Sequence, residues 1–249
     1  MRILLSVLVF FLSVSPAWAV VTQSSLTVGS DTGNASSYTT ASVTPSANQL
    51  VFVNVVSAKG AGPATTPTIS GNGLTYVQID TQLFDDGNAA DDRHRITSFR
   101  SMGASPSAGA ITIDFGGVTQ TGCSWSVVQF DGVDTSGTNG SGAVVQSAKN
   151  VTAGASSLTV TLAAFASADN GAASGFGLGD NLAMTPDTGW TEMHEQQVAD
   201  GADSMTNETQ WRNDNDTTAA ASWTGTIPCG GIAIEIKVAA VAGGAAQIF

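Results

Sequence analysis

Apolar positions along the chain come in short runs with a period of two, and that spacing predicts strands. The stretches 50–56 (LVFVNVV), 74–84 (LTYVQIDTQLF), 95–102 (RITSFRSM), 110–115 (AITIDF) and 125–130 (WSVVQF) form one series. A second series follows at 157–162 (SLTVTL), 190–198 (WTEMHEQQV), 208–212 (ETQWR), 219–224 (AAASWT) and 232–238 (IAIEIKV). Gly, Asn, Asp, Ser and Pro separate the runs, as tight turns require. Beyond the N-terminus no stretch of ten or more residues keeps a helical period, so an all-β, antiparallel chain is expected.

The two series align as copies of one unit. Residues 37–53 match 157–175, and NGLTYVQID (72–80) matches TGWTEMHEQ (188–196). ITSFRS (96–101) then matches ETQWRN (208–213), and GCSWSVVQF (122–130) matches PCGGIAIEI (228–236). Gly73 thereby pairs with Gly189, Arg100 with Arg212 and Cys123 with Cys229, and the offset shrinks from pair to pair. Insertions therefore fall between strands, where loops absorb them. The pattern predicts an antiparallel β-sandwich, jelly-roll-like, built from two sequence-related halves. Half one covers about 36–131, a joint 132–156, half two about 157–238, and 239–249 reads as a flexible C-terminal tail.

Residues 1–19 carry the pattern of a secretory leader: Arg2, an apolar stretch over 3–14, and an Ala17-Trp18-Ala19 site that predicts cleavage after Ala19. No later stretch has the length or apolarity of a spanning helix, so a secreted or surface location without a transmembrane segment in the mature chain is expected. Eight Lys and Arg against 20 Asp and Glu give a net charge of −12. That balance excludes a nucleic-acid partner, whose phosphates need basic side chains, and disfavours anionic lipid.

Strand alternation sorts the candidate residues. Ser126, Val128 and Phe130 match Ile232, Ile234 and Ile236 and should face a core, which leaves Trp125 and Gln129 on the opposite, solvent face. Trp125 matches Gly231 rather than an apolar residue, so Trp125 and Gln129 are the candidate binding residues, an exposed ring being what a glycan or protein contact uses. Trp190, Trp211 and Trp223 match Leu74, Phe99 and the neighbourhood of Ile113, and read as core. Cys123 and Cys229 precede equivalent strands and would form a disulfide if a pseudo-twofold axis passes between those strands.

The acidic stretch FDDGNAADDRHR (84–95) aligns with VADGADSMTN (198–207). Asp85, Asp86, Asp91, Asp92, Asp200 and Asp203 are candidate oxygen ligands, and calcium is the metal they would suit; a Gly-containing turn is the plainer reading. Their spacing departs from the EF-hand pattern. His94 and His194 are the only histidines, with neither a His-Glu-x-x-His nor a Gly-x-Ser-x-Gly motif, so no catalytic residue is assigned.

The order ANQLVFVNVV, GLTYVQI, RITSFR, AITIDF, CSWSVVQFDGVD, with a looser second round ending in TQWR, ASWT and GGIAIEIK, resembles β-sandwich modules of secreted bacterial proteins and of phage tail or virion-surface proteins. The resemblance spans most of 36–238 and implies a binding, adhesive or structural role. The expectation is a non-catalytic secreted or surface module that binds an extracellular glycan or protein. A structural subunit of an extracellular or virion assembly comes second, and a carbohydrate-active hydrolase or lyase third.

Overall fold

A computed structural model describes residues 20–85 and 93–240. The expected leader, Asp86, Asp91, Asp92 and residues 241–249 lie outside the described residues. The described chain is all-β, with fourteen strands and one 3-10 turn at Gly201–Asp203.

The first half contributes β1 (Thr22–Asp31), β2 (Ser37–Thr39), β3 (Leu50–Ala58), β4 (Thr68–Gly71), β5 (Val77–Phe84), β6 (His94–Ser101), β7 (Ile111–Asp114) and β8 (Gly122–Asp131). The second contributes β9 (Val144–Thr161), β10 (Gly171–Leu178), β11 (Thr185–Pro186), β12 (Thr191–Val198), β13 (Met205–Arg212) and β14 (Thr218–Ile236). A five-stranded sheet has the order β1-β8-β3-β6-β5, and a second large sheet repeats that order as β9-β14-β10-β13-β12. A separate three-stranded sheet, β2-β7-β4, belongs to the first half. In the second half its place is taken by the far ends of the two long strands: Leu158–Thr161 of β9 pair with Thr218–Ala221 of β14, which also pairs β11 through Ser222 and Thr185. The register of β14 breaks between Ser222 and Ile227, where the strand passes from one layer to the next.

The two large sheets pack face to face. β12 lies against β1 and β8, and β13 against β3 and β8; reciprocally, β5 lies against β9 and β14, and β6 against β10 and β14. Each of these contacts has its exchanged counterpart, so the two large sheets face each other through corresponding strands. Leu50, Phe52, Val128, Phe130, Ile234 and Ile236 fill one end of this interface, and Val56, Phe84, Ile96, Met205 and Ile232 the other. Between them lies a polar belt, where Asn54 Nδ2 donates to Asn207 Oδ1 at 2.8 Å and Asn54 Oδ1 accepts from Ser98 Oγ at 2.8 Å. β10 is built of small residues because it faces large ones: a Cβ on Gly177 would stand 2.8 Å from the Phe84 ring, and one on Gly175 would overlap the Asn54 amide.

Each large sheet turns its other face to a three-stranded layer of its own half, so a central strand is buried on both faces. Val51, Val53, Val55, Phe99, Trp125 and Val127 pack against Tyr38, Ile69, Ile111 and Ile113 in the first half. Ala172, Phe176, Cys229 and Ala233 pack against Leu158, Val160, Ala219, Ala221 and Trp223 in the second.

This layering corrects the strand-face assignment. Ser126, Val128 and Phe130 do face a core, yet the face carrying Trp125 and Gln129 is covered as well, and the two side chains are only 6% and 7% exposed. The Trp125–Gly231 mismatch has a packing reason. Trp125 is the cross-strand partner of Val55, and Gly231 is the partner of Phe176. The bulky ring has moved from one strand to its neighbour: a Cβ on Gly231 would stand 2.8 Å from Phe176, and one on Gly29 3.0 Å from the Trp125 ring. The expected joint at 132–156 is largely strand, since β9 begins at Val144, and the stretches 219–224 and 232–238 belong to one continuous strand.

Candidate functional site

The residues singled out by sequence separate in space. Trp125 is core, and Gln129 is tied into the chain: it accepts from Ser46 N at 2.9 Å and donates to Ser24 Oγ at 3.1 Å and Ser46 Oγ at 3.2 Å. Neither forms an exposed platform. Trp190 and Trp223 are buried as expected and donate to Thr218 O at 3.0 Å and Ala155 O at 2.8 Å; Trp211 is partly buried against Phe130.

Cys123 and Cys229 are both free and fully buried, which corrects the expected disulfide. Each thiol points into the outer core of its own half, away from the interface between the two large sheets. Burial pushes both thiols up out of their ordinary range. A thiol titration without reductant is expected to count two free groups after denaturation and none in the folded protein. A zero count in the denatured chain would restore the bridge.

The described residues of the acidic stretches, Phe84, Asp85 and 93–95 with 198–207, meet at one end of the sheet interface. His94 is buried, stacks on Phe84 and places Nε2 3.1 Å from the carbonyl of Ser204, joining the start of β6 to the residue just before β13. Burial lowers its pKa against the opposing charges of Asp85 and Asp203. Asp85 accepts from Arg93 N at 3.2 Å, and Asp200 and Asp203 belong to the 3-10 turn region. Among the described residues no three His, Cys, Asp or Glu side chains converge on a metal position, while Asp86, Asp91 and Asp92 fall outside them.

Glu208 was not visible as special in the sequence. It is fully buried, neither carboxylate oxygen has a partner, and desolvation with the nearby Glu192 and Glu195 raises its pKa to about 8. Glu195 itself accepts from Met184 N and Gln197 Nε2, both at 2.6 Å. A pair of carboxylates of this kind can serve acid–base chemistry only where substrate reaches it, and Glu208 is sealed from solvent. His194 is only 9% exposed and lies against β1 and β8.

The exposed feature with coherent chemistry is the outer face of the second half's three-stranded layer. Inward residues Leu158, Val160, Ala219, Ala221 and Trp223 fix it on the core, so alternation turns Ser157, Thr159 and Ser222 outward. Ser157, Ser222 and Thr185 lie in register across the three strands, and Thr159 lies beside the small Ala220. Together with Asp187 and Thr188 they line a groove of about 290 Å³. Asp187 Oδ1 accepts from Thr188 N at 2.7 Å, which orients the carboxylate and leaves its second oxygen free of that bond. The first half presents the same chemistry in rows Ser37–Asp114–Thr68 and Thr39–Thr112–Ser70.

Comparison of the chain with protein-family models, with curated proteins and with solved structures finds no significant match.

Proposed function

We propose that this protein is a secreted or surface-borne β-sandwich module that binds a neutral glycan on the hydroxyl-lined outer face of its second half. One observation carries this reading: the groove built by Ser157, Thr159, Thr185, Asp187, Thr188 and Ser222. Hydroxyls that both donate and accept, beside a carboxylate that accepts from two sugar hydroxyls at once, complement a polyhydroxylated ligand. Strands hold them in fixed register, which lowers the ordering cost of binding. The net charge of −12 favours neutral over polyanionic glycans. Secretion rests on the leader pattern of residues 1–19.

A glycan array probed with the folded protein tests the proposal. Binding to neutral polysaccharide is expected, and Asp187→Ala and Thr159→Val should each weaken it several-fold while leaving the melting temperature near that of the wild type. Unchanged binding in both variants, or no bound glycan, would refute the assignment.

A further inference from the structure

The polar belt between the large sheets ends at the surface in a chain of three side chains. Ser25 Oγ stands 2.5 Å from His194 Nε2, and His194 Nδ1 stands 2.8 Å from Ser126 Oγ. The three come from β1, β12 and β8, and Ser25 and His194 are 169 positions apart in sequence, so no motif could announce them. Ser25 is exposed, Ser126 is fully buried, and His194 is nearly so. Ser25 adjoins a break in the β1–β8 register at Leu26, on the edge strand of its sheet. Bulges re-aim side chains, and an edge strand presents backbone N–H groups without ladder partners.

The fold does not need this arrangement to hold its sheets together. At the exchanged seam, where β5 meets β9, Lys149 Nζ bonds Asp80 Oδ1 at 2.7 Å and Thr81 O at 3.0 Å. A simple ion pair serves there. The Ser25 seam instead holds a nucleophile-type oxygen, an imidazole and a third group on the far ring nitrogen, the three roles of an activated serine.

We infer that Ser25 is a nucleophilic serine, with His194 as its base and Ser126 as the residue positioning the imidazole, and that it takes an acyl group from a carboxylic ester. In the tautomer whose Nδ1–H donates to Ser126 Oγ, the Nε2 lone pair faces the Ser25 hydroxyl. Attack forms the bond from Ser25 Oγ to the acyl carbon, and the Ser25 proton passes to Nε2. The bond from that carbon to the ester oxygen then breaks, and the alcohol leaves with the proton. Water reverses the sequence, releasing the carboxylic acid and restoring Ser25. β1 and β8 bring hydroxyls rather than charges to the ring, and burial lowers the imidazole pKa, which favours the neutral base.

This site is distinct from the glycan groove and is tested without it. The protein is incubated with a fluorophosphonate, whose phosphorus–fluorine bond breaks as Ser25 Oγ bonds phosphorus, and adducts are mapped by mass spectrometry. One adduct on Ser25 is expected, absent in Ser25→Ala and retained in Ser24→Ala. Its rate should fall about 100-fold in His194→Gln and should follow the neutral imidazole fraction with pH. A purely structural clasp would not give that pH profile. No adduct on Ser25 of the wild-type protein, or equal rates in wild type and a folded His194→Gln, overturns the inference.

Discussion

Replacing Trp125 with alanine is expected to cost about 3–5 kcal/mol of folding stability, because a buried indole leaves a cavity that strands on both sides cannot close. The ring is 6% exposed within the outer core of the first half, against Val53, Val55 and Val127. Denaturant unfolding would read the loss directly. The second half supplies a sharper version. Since Phe176 and Gly231 occupy the positions that Val55 and Trp125 occupy in the first half, Trp125→Gly should be partly rescued by Val55→Phe. Rescue by more than about 1 kcal/mol in a double-mutant cycle is the expected result, and additive losses would contradict the volume exchange. Loss of ligand binding in Trp125→Ala would therefore report unfolding rather than a missing platform.

Glu208→Gln is expected to stabilise the protein strongly in alkaline solution and hardly at all in acid. In the folded state the Glu208 carboxyl is raised from its ordinary 4.5 to about 8, first by burial and then by Glu192 and Glu195 on β12. Cys229 on β14 also lies close to it. A raised acid binds its proton more tightly folded than unfolded, so its contribution is complete below about 4.5 and is lost as pH climbs through about 8. Across that window the loss is roughly 4–5 kcal/mol, at about 1.4 kcal/mol per pH unit. Melting temperatures from pH 4 to 9 should converge for the two proteins at the acid end and separate at the alkaline end. Parallel curves would mean that Glu208 is ionised in the fold.

The strands that sequence reveals are those with large β-branched or aromatic side chains, such as β3, β6 and β8, whose apolar runs fill two cores at once. Gly73 and Gly189 precede β5 and β12, Arg100 and Arg212 lie on β6 and β13, and Cys123 and Cys229 lie on β8 and β14, strands that hold corresponding places in the two sheet orders. β1 and the first part of β9, 144–156, left no such trace because they are edge segments with largely exposed polar residues. β10 was hidden for the opposite reason: its glycines and alanines make room for Asn54 and Phe84 arriving from the facing sheet. Alternation correctly separated the two faces of β8 but could not show that a second layer covers the Trp125 face. The site residues were less legible still. Ser157, Thr159 and Ser222 are ordinary strand hydroxyls until β11 completes the groove, and Ser25 meets His194 only when the two sheets close.

Nuclear magnetic resonance titration of the folded protein with neutral oligosaccharides tests most directly that the second half's outer face is the binding surface. Amide shifts are expected to cluster at 157–159, 185–188 and 220–222, to saturate, and to vanish in Asp187→Ala. Saturable shifts confined to another face, or no shift with any neutral oligosaccharide, would contradict it.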